Sequence, residues 1–393
     1  MSEPARILHL FANYKWTGPA DPAIRCAVHL RRLGLDVVFA QAEWTLPKAE
    51  HRLALELAKA RMPAVGGLEL RKHFRLFSVQ RDRKTLGRRL RRGDFDVLHS
   101  HLLADHLIAA LARRRARRAG RRVVLVRSLY DAELPRRTWR TRLAFRETDG
   151  VIVPRQAQAA EFCARFALPP ERVLYLEPPA ERHRLGLTGN LRQRLGLAAD
   201  QIAIGITARI QPHRRFELLW ESARRLVAAH PQVRFVLLGR GNAKDTQELV
   251  REPVARLGLA GHVILPGYLY EPEYSLALRA LDAFVFLVPG SDGTCRAVRE
   301  AMVLGLPVVA TGRGMLPDLL APVPEYGIEA PAGTIVAETP EAIASALARL
   351  VVDPDLRARQ GGAAAAKARL VMDPEVHAAC VAAFYEFLRE NPR

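Results

Sequence analysis

The segment from Ser291 to Met302 carries two carboxylates, those of Asp292 and Glu300, at a spacing that suits a long polar ligand. It follows an apolar, strand-length run and is predicted to open a helix, whose first backbone N–H groups can bind an anion. With a rise of about 1.5 Å per helical residue, the two carboxylates lie at most about 12 Å apart. That span fits a nucleotide sugar, with one acid on the hexose, the other on the ribose and the diphosphate at the helix end. The structural alternative makes Asp292 a helix cap and Glu300 a solvated residue.

Two arginines, Arg209 and Arg214, follow the first apolar run of the second half and precede a predicted helix. Two guanidinium groups at such a place can clamp a departing diphosphate without a metal ion. Basic side chains near a helix N-terminus are otherwise disfavoured by the helix dipole, which favours a functional role. The alternative is that both side chains are only solvated.

Several other catalytic motifs are missing from the sequence, namely GxxxxGK[ST], HExxH, GxSxG and a full GxGxxG. P-loop ATP hydrolysis, zinc proteolysis and α/β-hydrolase chemistry are therefore disfavoured. Gly239-Arg240-Gly241 lacks the third glycine of a dinucleotide fingerprint and is predicted to form a tight turn. Asp94 and Asp96 have the spacing of a DxD metal site, but they directly precede a predicted strand and are interpreted as a turn. The cysteines show no paired spacing, which argues against a metal cage or a disulfide framework: Cys26, Cys163, Cys295 and Cys380.

An alternation of apolar runs and amphipathic stretches positions these residues. The first half is predicted to contain strands Ile7–Phe11, Asp36–Ala40, Val97–Ser100, Val123–Arg127 and Val151–Pro154, with helices Ala23–Leu33 and Leu102–Arg118. The second half is predicted to contain strands Ile202–Thr207, Val233–Leu238, Val263–Leu265, Phe284–Val288 and Pro307–Thr311, with helices Phe216–Ala229, Asp245–Leu257, Glu273–Leu281 and Cys295–Leu304.

The recurrence of this unit predicts an α/β protein made of two Rossmann-like domains with parallel sheets. The boundaries are placed at residues 1–188 and 189–372, because Pro178, Pro179 and the polar stretch to Asn190 interrupt the pattern. A last helix, within residues 373–393, is expected to cross back to the first domain. Ligands of such sheets bind at the carboxyl ends of the strands.

The net positive charge of the chain comes entirely from its first half. Residues 1–200 hold 39 Lys+Arg against 20 Asp+Glu, whereas residues 201–393 hold 21 against 21. The asymmetry predicts an anionic partner for the first half, such as a phosphorylated substrate, nucleic acid or membrane surface. The alternative is arginine-rich codon usage, which accounts for Arg over Lys but not for the asymmetry. No apolar stretch approaches the length of about 18 to 20 residues that spans a bilayer, so we expect a soluble, cytoplasmic protein.

The second half resembles the retaining glycosyltransferases of family 4, which have the GT-B fold of two facing Rossmann-like domains. The resemblance covers about residues 200–370 and rests on two motifs. One is Ala208-Arg209-Ile210-x-Pro212-x-Arg214-Arg215, similar to G-R-L-x-P-x-K-G in the family. The other is Asp292-x7-Glu300, followed by Ala301-Met302-x-x-Gly305-x-Pro307. Asp292 stands where the family has Glu, and Ala208 and Arg215 stand where it has Gly.

The resemblance implies a role for each matching residue. Arg209 and Arg214 would hold the donor diphosphate, to which Gly293 and Thr294 would offer backbone donors. Asp292 would contact the transferred sugar, and Glu300 would bind the ribose. Gly267, Tyr268 and Leu269 would lie near the base.

The first half matches the family less closely. Gly18 lies in a loop, Lys15–Ala20, at the position of the donor-facing Gly-rich loop of the family. Phe95–His101 resembles its D-V-V-H-x-H segment, which implies a catalytic position for His101 near the reacting carbon. Simple packing of His99 and His101 on a strand, or a metal site that also includes His106, are the alternatives.

The activity implied is metal-independent transfer of a sugar, with retention, from a nucleotide diphosphate sugar to an anionic or lipid-linked glycan. Lipopolysaccharide or another envelope polysaccharide is the expected context, with no cofactor besides the donor and with the basic half on the inner membrane face. A GT-B nucleotide-sugar epimerase is the first alternative. A nucleic-acid-binding protein is the second, but it leaves Asp292 and Glu300 without a role.

Overall fold

The computed structural model describes residues 5–46, 49–288 and 293–393. The chain divides into two compact units, one made of Met1–Pro179 with Pro374–Arg393 and the other of Ala180–Asp373. The division falls at the start of the polar stretch that follows Pro178 and Pro179, and it assigns the C-terminal helix to the first unit. Within the described ranges, no helix combines the length and apolarity that crossing a bilayer requires.

A six-stranded parallel sheet forms the centre of the first unit, in the order β2-β1-β3-β4-β5-β6. The strands are β1 (Arg6–Phe11), β2 (Asp36–Gln41), β3 (Val97–Ser100), β4 (Val124–Ser128), β5 (Gly150–Val153) and β6 (Val173–Tyr175). The helices that connect them are α1 (Ala20–Arg32), α2 (Arg52–Lys59), α3 (Leu76–Arg92), α4 (Leu103–Arg118), α5 (Trp139–Arg146) and α6 (Gln156–Phe166).

The second unit has a six-stranded parallel sheet in the order β12-β11-β10-β7-β8-β9. Its strands are β7 (Ile202–Thr207), β8 (Val233–Leu238), β9 (Val263–Gly267), β10 (Ala283–Phe286), β11 (Val308–Thr311) and β12 (Gly333–Val336). Its helices are α7 (Phe216–Ala229), α8 (Ala243–Thr246), α9 (Glu252–Arg256), α10 (Glu273–Leu278), α11 (Arg296–Val303), α12 (Leu316–Leu320), α13 (Pro340–Val352) and α14 (Pro354–Leu370).

The predicted α/β class is confirmed, because helices cover both faces of each parallel sheet and its strands are almost continuously apolar. In β1, for example, all five residues after Arg6 are buried. The predicted single helix Asp245–Leu257 was wrong in one respect, since a π-helical turn, Gln247–Arg251, separates α8 from α9. Pro253 lies in the first turn of α9 and has no N–H to continue a regular ladder, which accounts for the irregularity.

The C-terminal helix α15 (Pro374–Glu390) packs within the first unit. Ala378, Val381, Phe384, Tyr385 and Leu388 join the apolar cluster formed by α1 and the adjacent face of the sheet. The contact is close at Gly150, the first residue of β5. A Cβ atom there would lie 2.4 Å from Leu388 Cδ1 and 2.7 Å from the Phe384 ring. Only glycine therefore fits beneath this helix.

We predict that Gly150→Ala destabilises the protein by about 1–3 kcal/mol, because the buried Phe384 and Leu388 side chains have no space to move into. Urea unfolding followed by circular dichroism measures the change. Gly362→Ala is the matched control, because nothing lies within 4 Å of a Cβ at that helical position. Equal stability of the two variants would show that Gly150 does not limit the packing of α15.

Candidate functional site

The candidate site of the second unit lies on the loops that follow four neighbouring strands. In sheet order, these loops follow β10, β7, β8 and β9. They carry the segment before α11, the two predicted arginines, the segment Gly239-Arg240-Gly241 and Tyr268. All four strands are parallel, so their carboxyl ends lie at one edge of the sheet, where ligands of such sheets bind.

Arg214 joins two of these loops directly. Its Nη1 atom donates a hydrogen bond of 2.6 Å to the backbone oxygen of Val288, which follows β10. Arg214 is half-buried, whereas Arg209, in the same segment, is exposed to solvent. We call residues 208–215, which carry both arginines, the arginine segment. The structure brings this segment beside the residues that lead into α11.

Arg215, beside the predicted pair, has a different environment. Its backbone has φ 58° and ψ 42°, the left-handed region that favours glycine, which is the residue that the family motif has here. Its guanidinium forms ion pairs with Glu217 and with Glu338, the latter at 3.1 Å between Nη1 and Oε2. Carboxylates thus largely compensate the charge of Arg215. A residue that binds a diphosphate is expected to keep its charge available for the phosphates.

The loop after β8 lies close against the arginine segment at Gly239 and Gly241, because neither residue has a Cβ atom. A Cβ at Gly239 would lie 1.9 Å from the backbone oxygen of Ala208, and one at Gly241 would lie 2.7 Å from Ile210 Cβ. The predicted tight turn at these glycines was wrong, because residues 239–242 form no turn and instead bond to neighbouring segments, Gly239 N–H to the Gly267 oxygen and Ile210 N–H to the Arg240 oxygen. The close approach fixes the backbone on both sides of Arg209.

Glu300 lies on α11, and its side chain is only 12% exposed. The Tyr274 hydroxyl donates a hydrogen bond of 2.8 Å to Glu300 Oε2 and lies 3.2 Å from Thr207 Oγ1. Arg296, one helical turn before Glu300, lies 3.8 Å from its Oε1. Tyr274 was not predictable from the sequence, because an aromatic residue at the start of α10 has no distinguishing pattern.

The residues before α11 are described only in part. Asp292, predicted to contact a sugar, lies outside the described residues, as do Pro289, Gly290 and Ser291. Gly293 is half-buried and Thr294 is fully buried. The Nε of Arg299, a buried residue that the sequence analysis did not identify, donates to the Thr294 carbonyl at 2.9 Å.

Tyr268 and Leu269 follow Gly267, the last residue of β9, which has φ 83°. The Tyr268 side chain is 51% exposed, and the guanidinium carbon of Arg240 lies 4.5 Å from the centre of its ring. Tyr270 contacts the same ring edge-on at 4.9 Å. An aromatic surface backed by a cation thus lies beside the arginine segment and can stack on a planar ligand.

In the first unit, Gly18 is buried in the loop between β1 and α1. His101 follows β3 and is also completely buried. Its Nε2 lies 3.0 Å from His9 Nδ1, and its Nδ1 lies 2.6 Å from the Tyr130 hydroxyl. Both of its ring nitrogens therefore already have partners inside the protein, and a catalytic role for His101 stays a prediction.

A chain of buried hydrogen bonds extends from His101 across the sheet to α15. His9 Nε2 lies 3.4 Å from the Tyr385 hydroxyl, which lies 2.5 Å from His99 Nδ1. His99 Nε2 in turn lies 2.7 Å from Ser128 Oγ. His9, Cys26 and His99 also offer possible metal-ligand atoms within 4.8 Å of one another. Each ring nitrogen of His9, His99 and His101 already has a hydrogen-bond partner within the protein. These hydrogen bonds are sufficient to explain why the three histidines lie together.

Burial keeps these histidines neutral. It lowers the pKa of His9 to about 3 and the pKa values of His99, His101 and His106 well below their ordinary value. It also raises the pKa of the nearby Asp105 to about 7, although Asp105 accepts hydrogen bonds from three backbone N–H groups. The centre of the first unit therefore favours the neutral form of these imidazoles, beside a buried Arg127 whose Nη1 atom lies 3.8 Å from Asp105 Oδ1.

Two protein-family models match adjacent parts of the chain. Glycosyl transferases group 1 matches residues 188–367, and Glycosyltransferase Family 4 matches residues 23–180. A D-inositol 3-phosphate glycosyltransferase from Thermobispora bispora is 28% identical over 291 residues, which cover 69% of this chain and 66% of that protein. The match thus spans slightly less than two thirds of the relative.

Several solved structures have the same fold. HepE from Anabaena, in complex with UDP, has a TM-score of 0.74 at 20% identity, covering 98% of this chain and 100% of that one. The lipopolysaccharide outer core galactosyltransferase WaaB has a TM-score of 0.65 at 13% identity, covering 97% and 99%. At these identities the likeness establishes the fold.

We predict that acid weakens the first unit through its buried histidines. Their pKa values are lowered in the folded chain, so their contribution is fully present above the unfolded pKa of about 6.5 and is lost as the pH falls. Each imidazole contributes a slope of up to about 1.4 kcal/mol per pH unit below that value. The raised pKa of Asp105 has the opposite effect on the pH dependence of stability. The contribution of the imidazoles is therefore measured with variants that remove one histidine at a time.

Urea unfolding between pH 7.5 and 5 measures this effect. His9→Asn and His106→Asn should each lose less unfolding free energy on acidification than the unsubstituted protein. His213→Asn, at an exposed position, should follow the unsubstituted protein. Parallel pH profiles for all four proteins would contradict the prediction.

Proposed function

Because this chain belongs to the family 4 glycosyltransferases and has their GT-B fold, we propose that it transfers a sugar, with retention, from a nucleotide diphosphate sugar to a glycan or glycolipid. The observation that carries the proposal is the Arg214–Val288 hydrogen bond, which ties the arginine motif to the end of the strand that leads to the second motif. The Tyr274 hydroxyl contacts both Thr207, directly before the arginine motif, and Glu300 on α11, and so connects this basic segment with a shielded carboxylate. That combination suits a ligand with an anionic centre and a diol.

Glu300 is the proposed ribose ligand. A carboxylate binds two vicinal hydroxyls well when its orientation is fixed, because charge-assisted hydrogen bonds are strong and directional. Tyr274 holds one carboxylate oxygen from α10, and Arg296 lies near the other. Binding therefore costs little ordering of the Glu300 side chain.

Arg209 and Arg214 are proposed to stabilise the departing nucleotide diphosphate. Negative charge grows on this group as the glycosidic bond breaks, and preorganised cations at that point lower the barrier. Two arginines supply this charge with fixed fork geometry, which is the basis for proposing a metal-independent reaction without a further cofactor. Gly293 and Thr294 are proposed to add backbone donors, and Asp292 to contact the sugar.

Gly267, Tyr268 and Leu269 are proposed to contact the base, with the exposed Tyr268 ring and the Arg240 beneath it as a stacking surface. HepE has been crystallised with UDP and with UDP-glucose. A uridine nucleotide is therefore the first donor to test. Gly18 and His101 of the first unit are proposed to act at the donor and at the reacting carbon.

We propose an anionic or lipid-linked glycan as the acceptor, taken up by the basic first half. The charge excess of 39 Lys+Arg over 20 Asp+Glu in residues 1–200 supports this choice. The names of the relatives agree with a phosphorylated or membrane-bound acceptor, one being an inositol 3-phosphate glycosyltransferase and another acting in the lipopolysaccharide outer core. Envelope polysaccharide synthesis at the cytoplasmic face of a membrane is the corresponding context.

We predict that one nucleoside diphosphate raises the melting temperature and that Glu300→Gln removes about half of the rise or more. A ligand at about 100 times its Kd stabilises by about 2.7 kcal/mol, a readily measured shift. Loss of a charge-assisted hydrogen bond weakens binding by about 10- to 100-fold. Tyr274→Phe should weaken binding less, because it only loosens the carboxylate. Glu325→Gln, at an exposed position in the same unit, is the control and should leave the shift unchanged.

The nucleotides to compare are UDP, GDP, ADP and CDP, by thermal shift and calorimetry. A nucleotide that shifts all four proteins equally would exclude Glu300 as the ribose ligand. Absence of a shift with every nucleotide would contradict the donor site itself.

For turnover of the sugar donor, we predict that Arg209→Gln lowers kcat/KM by about 100- to 1,000-fold, because a developing negative charge loses its cation. Arg215→Asn should have a small effect, because carboxylates already compensate Arg215 and Asn tolerates its left-handed backbone. Nuclear magnetic resonance of the product should show the anomeric configuration of the donor, and EDTA should not change the rate. An epimerised sugar from donor alone would support the epimerase alternative, and inversion or EDTA inhibition would contradict the proposed mechanism.

A further inference from the structure

Four large apolar side chains of the first unit point into solvent near the starts of α3 and α5. Their exposed fractions are 38% for Phe74, 56% for Leu76, 89% for Phe77 and 64% for Trp139. We call this set the aromatic patch. Exposing large apolar groups together is unfavourable in water, and such patches mark surfaces that bind a partner or a membrane.

The patch is continuous across the two segments, although more than sixty positions separate them in the sequence. The guanidinium carbon of Arg140 lies 3.9 Å from the centre of the Phe74 ring and 5.2 Å from the centre of the Trp139 ring. Leu76 and Phe77, the first two residues of α3, are separated from Phe74 only by Arg75. Arg140 therefore connects the two parts with its charge in the middle of an apolar surface.

The fold gives this patch a defined position on the first unit. Helices α3 and α5 lead into the parallel strands β3 and β5, so the start of each helix lies at the carboxyl edge of the sheet. That edge is where a doubly wound sheet binds its ligands. A partner that contacts the patch is therefore held beside the loops of the first unit that we propose to receive the acceptor.

Positive charge surrounds the patch. Neither residues 70–81 nor residues 135–146 contain an acidic residue. Lys72, Arg75, Arg81, Arg136 and Arg137 are all exposed. Apolar side chains ringed by Lys and Arg match the interface of an anionic bilayer, where rings enter the headgroup region and cations contact phosphates.

We propose that the aromatic patch inserts into the headgroup region of an anionic membrane and holds the enzyme at the surface that carries its acceptor. The lipid-linked nature of that acceptor rests on the function proposed above. The patch adds apolar insertion to the attraction of the basic half. A single-stranded nucleic acid is less favoured, because Leu76, more than half exposed at the centre of the patch sequence, offers no ring for stacking.

Sedimentation of the full chain with lipid vesicles tests the proposal. Phosphatidylcholine vesicles with phosphatidylglycerol should bind the protein, and pure phosphatidylcholine vesicles should bind it much less. The double variant L76S/F77S should bind the anionic vesicles about tenfold or more weakly, because two exposed apolar side chains are lost. Val352→Ser, which removes a side chain 64% exposed in the second unit, is the matched control and should bind normally.

Tryptophan fluorescence gives a second readout that does not depend on binding strength. Anionic vesicles should shift the emission to shorter wavelength, and Trp139→Phe should abolish the shift, because Trp139 is the residue of the patch that would enter the interface. Thermal melting verifies that every variant is folded. The nucleotide shift without lipid should be the same in L76S/F77S, so a failed donor site and a failed membrane site are distinguishable.

Three results would overturn the proposal. Equal vesicle binding by L76S/F77S and the unsubstituted chain would show that charge alone acts. A dimer that forms in sedimentation velocity and disappears in L76S/F77S would assign the patch to a second copy of the chain. Binding of a single-stranded oligonucleotide in preference to anionic vesicles would assign it to nucleic acid.

Discussion

The hydrogen bond between the Arg214 guanidinium and the Val288 carbonyl holds the candidate donor site together. It connects the loops of two strands that are neighbours in the sheet, β7 and β10. On the other side, Gly239 and Gly241 let the β8 loop approach the same segment to a distance that no side chain would permit. The arginine segment is thus fixed from both sides before any ligand binds. Such preorganisation makes its positive charge effective, because little reorganisation is needed when negative charge develops.

The first unit depends on a different kind of polar system. His9, His99 and His101 are hydrogen-bonded in series with Tyr130, Tyr385 and Ser128, and they connect the central strands with the C-terminal helix. In an apolar interior, each of these groups needs a partner, and the chain supplies one for each imidazole nitrogen involved. The last helix therefore belongs to the first unit through apolar packing and through one shared hydrogen-bond network.

Charge and apolar exposure are distributed unequally along the chain. The second half has equal numbers of basic and acidic residues. Its Arg215, which pairs with Glu338, illustrates how carboxylates there neutralise arginines. The first half has an uncompensated excess and also exposes Phe77 and Trp139. This division agrees with the proposed function, in which the basic first half takes up an anionic acceptor.

The sequence alone was sufficient for the α/β class, for most strands and for the two motifs of the second unit. Strands buried on both faces read as apolar runs, and the chemistry of a parallel sheet lies where those runs end. The partner of Glu300 was not predictable, because Tyr274 reaches it from another helix. The burial of His101 and the exposure of Phe77 were decided by the tertiary structure alone. The sequence shows which residues are apolar and at what spacing they recur. Only the packing of the folded chain determines which of them are buried and which side chains they contact.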